Sequence, residues 1–64
     1  MKNRVAVTIA GQEYTLVGTE DAGYTEKVAA HVDEKVREIM ESARVSLVDG
    51  AVLAAVNIAD EYFK

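Results

Sequence analysis

Few side chains in this 64-residue chain could carry acid–base, nucleophilic or metal chemistry, and their spacing argues against each use. His31 is the only histidine. It has Lys27 and Lys35 four residues away on either side, a poor setting for a metal ion, so it reads as a boundary residue of a helix. Asp33 and Glu34 are adjacent carboxylates, but neighbours on a helix point about 100° apart and cannot share one proton site. They read as a solvated face. Gly11, Gly18, Gly23 and Gly50 form neither GxGxxG nor GxxxxGK[ST], so no phosphate loop is present. Ser42 and Ser46 lack a base signalled nearby. With no cysteine there is no thiolate nucleophile, disulfide or thiolate metal site. The inventory predicts a protein that is not an enzyme and needs no cofactor or metal.

Charge and aromatic content narrow the class further. The formal net charge is −4. A general phosphate-backbone binder would need a basic face from which to release counterions, so no nucleic-acid partner is expected. Three tyrosines and one phenylalanine do not alternate with basic residues, which disfavours a stacking platform. No apolar run reaches the roughly 18 to 20 residues of a membrane span, because Asn57, Asp60 and Glu61 interrupt the longest one. Lys2 and Arg4 lead into alternation and not into the apolar core of a signal peptide. The cytoplasm is the expected compartment.

The elements that would position these residues are legible. Half of the chain is hydrophobic and there is no proline, which marks a folding sequence. In residues 3–18, Val5, Val7 and Ile9 alternate with Ala6, Thr8 and Ala10, and Tyr14 and Leu16 continue the apolar parity. That is a β-hairpin with one buried face. A turn centred on Gly11-Gln12, with glycine in the positive-φ position of a type II′ loop, places Ile9 opposite Tyr14 and Val7 opposite Leu16. Asp21 or Thr19 then caps a helix over about 22–43. Its core stripe is Val28, Val32, Val36, Ile39 and Ala43. Asp33, Arg37, Glu41 and Arg44 form a charged stripe with alternating signs. After a break at Arg44-Val45, Ser46-Leu47-Val48-Asp49 matches a capping box with Asp in place of Glu, and a second helix runs over about 47–64. The predicted fold is α+β, a hairpin followed by two helices, in a single domain over 1–64.

The second helix is too apolar for one short chain to cover. At about 100° per residue, Asp49, Asn57, Asp60, Glu61 and Lys64 occupy roughly a third of its circumference, and the rest is apolar or alanine. A single copy would expose more contiguous apolar surface than soluble monomers usually carry. A domain of this size buries only about 60% of its unfolded surface, and association is the remedy left when disulfides and metals are absent. Val48, Val52, Ala55, Ala59 and Tyr62 recur in coiled-coil steps of four and three, and are the expected dimer interface. Asn57 either fixes register there or sits on a solvated rim. No C-terminal stop signal follows, so the helix is expected to continue as a coiled coil beyond residue 64.

The hairpin VTIAGQEYTLVG, the helix segment VAAHVDEKVREI, the RVS break and LAAVNIADEYFK together resemble the ZapA family, bacterial cell-division proteins that accompany FtsZ at the division ring. The resemblance spans essentially the whole chain. It implies a homodimeric head whose coiled coil pairs two dimers into a tetramer that bundles FtsZ filaments at mid-cell. It further implies that charges at the end of the first helix contact FtsZ. Carried over by position these are Arg44 first and Asp49 next, with Arg37 and Glu41 flanking. A position that can be basic in relatives is Met40 here, which removes one contact. The alternative is a generic homodimerisation module that oligomerises another protein without touching FtsZ.

Overall fold

The computed structural model describes residues 2–64. Strand β1 (Asn3–Ile9) pairs antiparallel with β2 (Gln12–Gly18), and helices α1 (Ala22–Ala43) and α2 (Leu47–Phe63) follow. The order strand, strand, helix, helix is the one the sequence predicts. Each layer rests on the next, since α1 packs on β1 and α2 packs on α1.

The hairpin register differs from the expected one by two residues. Ile9 faces Gln12, Val7 faces Tyr14 and Val5 faces Leu16. The turn is therefore Ala10-Gly11 and not Gly11-Gln12. Both turn residues have positive φ, 52° at Ala10 and 82° at Gly11. That is the type I′ requirement, whose twist matches the right-handed twist of paired strands. The Ala10 N–H donates to Asp33 Oδ1 on α1 at 2.7 Å, so a tertiary bond anchors the turn at this position. A slip of two keeps every side chain on its own face, and the apolar parity survives. Left-handed backbone at alanine is strained by about 1 kcal/mol. Ala10→Gly is accordingly expected to raise the unfolding free energy by about 0.5–1 kcal/mol in a denaturant titration, the strain relief being partly offset by glycine entropy.

Local chemistry sets the helix ends. The Asp21 carboxylate accepts from the Tyr24 N–H at 3.3 Å and caps α1. Ser46 Oγ accepts from the Asp49 N–H at 3.3 Å and caps α2. Helix α1 ends at Arg44, whose φ of 54° and ψ of 46° are left-handed, the conformation that usually selects glycine after a helix.

The core is small. Val5 and Val7 of β1 pack with Ala29 of α1, and Ile9 lies against them. Val36 of α1 and Ala54 of α2 are the most deeply buried, at 2% and 1% exposure. Within the stripe expected for α1, Val36 is buried, Val32 and Ile39 are half-buried, and Val28 and Ala43 are exposed. Ala29, one residue on from Val28, faces β1 instead, because a small side chain suits the close approach of helix to sheet. All seven residues of β2 are exposed, Tyr14 and Leu16 included.

Candidate functional site

Two surfaces stand out, one charged and one apolar. The charged surface lies where α1 ends. Arg37, Met40, Glu41, Arg44 and Val45 border a shallow depression of about 460 Å3, and Ala10 of the hairpin turn closes one side. Three of the four residues expected to form a contact site, Arg37, Glu41 and Arg44, thus meet in one place. Asp49 stands outside the depression, exposed in the first turn of α2, where its charge favours the positive helix end.

The charges of this surface are differently committed. Arg37 Nε donates to Asp33 Oδ2 at 3.0 Å, one turn back along α1. The other oxygen of Asp33 holds Ala10, so one carboxylate ties helix, guanidinium and turn together. The Ala10 N–H, and after it Arg37, keep the Asp33 carboxyl below its ordinary value despite partial desolvation. Asp33 is therefore more than the solvated residue its sequence context suggests. Arg44, by contrast, has no carboxylate within ion-pair distance among the described residues.

The apolar surface is a groove of about 840 Å3. Ile9 and Tyr14 of the hairpin form one wall, Val36 lies in its floor, and Val48, Val52 and Tyr62 of α2 contribute the other wall. Helix α2 divides its apolar residues between two jobs. Gly50 and Ala54 are buried and Leu47 and Ile58 half-buried, on the side that meets α1. Val48, Val52, Ala55, Ala59 and Tyr62 are all exposed, with Val48 at 71% and Tyr62 at 83%. Asn57 is exposed as well.

A charged seam closes the far end of the helix pair. Lys35 Nζ lies 2.9 Å from Glu61 Oε2, and His31 Nε2 lies 3.4 Å from Glu61 Oε1. The Lys35 ammonium, then His31, hold the Glu61 carboxyl below its ordinary 4.5, and Glu61 in turn raises Lys35 above its ordinary 10.5. A depressed carboxyl stabilises the fold above its unfolded value, and that contribution is lost as pH falls through the folded one. A raised lysine stabilises below its unfolded value and loses its contribution as pH rises through the folded one. Acidification from about pH 5 to about pH 3 should therefore lower the melting temperature, and Glu61→Gln should show a smaller fall than wild type.

Sequence reasoning missed Gly50. An added Cβ would lie 2.7 Å from Met40 Cγ and 3.7 Å from Val36 Cγ1, so glycine permits the close α1–α2 crossing. Among the described residues no group of three or more His, Cys, Asp and Glu side chains could hold a metal, and no helix is long and apolar enough to cross a membrane.

The family model for cell division protein ZapA matches residues 5–64. This chain belongs to the ZapA family. Cell division protein ZapA of Geobacillus thermodenitrificans is 53% identical over 64 residues, covering 98% of this chain and 70% of the relative. The protein of the same name from Bacillus thuringiensis is 39% identical over 69 residues, covering 98% and 72%. A solved ZapA mutant dimer from Geobacillus stearothermophilus is similar in structure with a TM-score of 0.81 at 45% identity, covering 98% of this chain and 74% of that one. Within this ZapA-family chain, Met40 is a packing residue, half-buried where Gly50 of α2 approaches α1. That role accounts for an apolar side chain at a position otherwise suited to a charge.

Proposed function

We propose that this chain is the head of a non-enzymatic division-ring adaptor, cytoplasmic and acting at mid-cell, which dimerises and binds FtsZ filaments. The observation that carries the reading is the pairing of two unlike surfaces on a rigid helix pair. The exposed stripe Val48, Val52, Ala55, Ala59 and Tyr62 offers itself to a second copy, in keeping with the dimeric state of the similar Geobacillus stearothermophilus structure. The depression at the end of α1 offers Arg44 as an uncompensated cation, flanked by Arg37 and Glu41, with Asp49 a peripheral contributor. A dimer carries two such depressions. With a coiled coil continuing from α2, two dimers form a tetramer that bridges filaments and promotes their bundling.

Arg44 separates binding from stability. Its left-handed backbone is a strained state for any residue but glycine, asparagine or aspartate. Arg44→Gly removes the guanidinium and relieves the strain together. The full natural protein carrying Arg44→Gly should be as stable as wild type or more so, by up to about 1 kcal/mol. It should nonetheless co-pellet with FtsZ filaments about tenfold more weakly, the loss of one charged contact of about 1.4 kcal/mol. Wild-type binding should weaken between about 0.1 M and 1 M salt, as the screening length drops from about 10 Å to 3 Å. Absence of wild-type protein from the filament pellet at low salt, with the protein self-associated in solution, would instead favour a generic dimerisation module.

A further inference from the structure

Among the described residues only two that are not glycine adopt left-handed backbone, Ala10 at φ 52° and Arg44 at φ 54°. They are far apart in the chain, at the hairpin turn and at the end of α1. Both border the same depression. A type I′ loop and a helix C-terminus each use such backbone, and the fold brings the two to one rim. The type I′ loop sets the φ of Ala10, and Asp33 anchors that loop on α1: its Oδ1 accepts the Ala10 N–H at 2.7 Å while its Oδ2 accepts from Arg37 Nε at 3.0 Å. A single carboxylate thereby sets the position of two parts of the rim that belong to different elements.

We infer that Asp33 is the positioning residue of the filament-docking depression, holding the Ala10-Gly11 turn and the Arg37 guanidinium in the arrangement that receives a carboxylate-bearing segment of the filament surface. The inference rests on the filament-binding reading above and adds a residue and a partner chemistry to it. Charge favours this occupant, because the charged side chains bordering the depression are two cations, Arg37 and Arg44, against one carboxylate, Glu41. Arg44 has no carboxylate of its own among the described residues, and Arg37 spends its Nε on Asp33 and presents its remaining donors outward, being 61% exposed. Met40 and Val45 border the same depression, so an apolar side chain next to the carboxylate would find partners there.

Simple electrostatics makes the opposite forecast. Deleting Asp33 removes a negative charge beside Arg37, which by itself would tighten binding to an acidic segment. Positioning and charge can therefore be told apart by the sign of one change. The experiment co-pellets the full natural protein with purified FtsZ filaments at low salt for wild type, Asp33→Ala, Asp33→Asn and Asp33→Ala combined with Ala10→Gly. Solution mass and melting temperature are recorded for each. The expected result is a roughly tenfold weakening for Asp33→Ala with the solution mass unchanged. Asp33→Asn, whose amide oxygen still accepts from Ala10 but whose NH2 cannot accept from Arg37 Nε, keeps the turn and releases the guanidinium, so its binding should fall between those of wild type and Asp33→Ala. Ala10→Gly should restore the melting temperature of Asp33→Ala without restoring its binding, because glycine relieves strain but does not fix the turn. Binding of Asp33→Ala equal to or tighter than wild type would overturn the inference. So would recovery of binding together with stability in the double variant. A wild-type protein that fails to pellet overturns the underlying reading instead, so the two failures are distinguishable.

Discussion

Val52→Lys is expected to convert the dimer to a monomer while leaving the hairpin and both helices folded. Val52 is 59% exposed in the single chain and sits in the middle of the stripe that α2 leaves uncovered. Its substitution therefore removes little packing within the chain. Lysine is also a better helix former than valine, so the monomer's stability should change by no more than about 0.5 kcal/mol. At a two-fold interface the same change places an unpaired ammonium from each copy against apolar partner surface. Desolvating such groups costs several kcal/mol, and the dimer affinity should fall by about 100-fold or more, roughly 3 kcal/mol. Sedimentation equilibrium and far-ultraviolet circular dichroism, run on the same samples, read the two effects separately. A Val52→Lys protein that stays dimeric with unchanged affinity would place the interface elsewhere.

The second large effect belongs inside the chain. Gly50 is buried at the helix crossing, where a Cβ would already come within 2.7 Å of Met40 Cγ. A leucine there has no space unless α2 moves off α1. Overpacking of this kind costs about 1–3 kcal/mol, while replacing glycine within a helix returns up to about 1 kcal/mol. Gly50→Leu should therefore lose about 2 kcal/mol net at the top of that range. For a domain of this size the loss lowers the melting temperature by roughly 10 °C, measured at fixed protein concentration because dimerisation adds to apparent stability. Met40→Ala combined with Gly50→Leu should recover part of the loss, since the two side chains compete for one volume. A Gly50→Leu protein as stable as wild type would mean that the close crossing is unimportant to the fold.

How much of this was legible beforehand depends on the range of the interaction. Local signals were reliable: the alternation of Val5, Val7 and Ile9 marks a strand, and Ser46 three residues before Asp49 marks a helix start. The alternation predicts the correct hairpin face although the turn lies one residue earlier than the glycine position suggests, because a two-residue slip in register does not change parity. The observed register carries a bond donated by the Ala10 N–H to Asp33, 23 residues later in the chain, and no local pattern reveals it. The pairing of Asp33 with Arg37 was visible at helical spacing, but the second duty of that carboxylate was not. Glu61 likewise read as part of a polar face and proves to be the group on α2 that meets Lys35 and His31 of α1. Gly50 carried no signal beyond being a glycine inside a helix. The five residues of the apolar stripe were identifiable from their steps of four and three, because a periodic surface with no covering partner leaves its mark in one sequence.

The central claim is that the exposed side of α2 is half of an interface between two copies. Its most direct test is the mass of this 64-residue chain in solution at tens of micromolar, by sedimentation equilibrium. The expected value is about twice the 6.9 kDa of one chain, falling toward a single chain only on strong dilution. A single species at 6.9 kDa across that range would contradict the claim, and with it the reading of Val48, Val52, Ala55, Ala59 and Tyr62 as a shared surface.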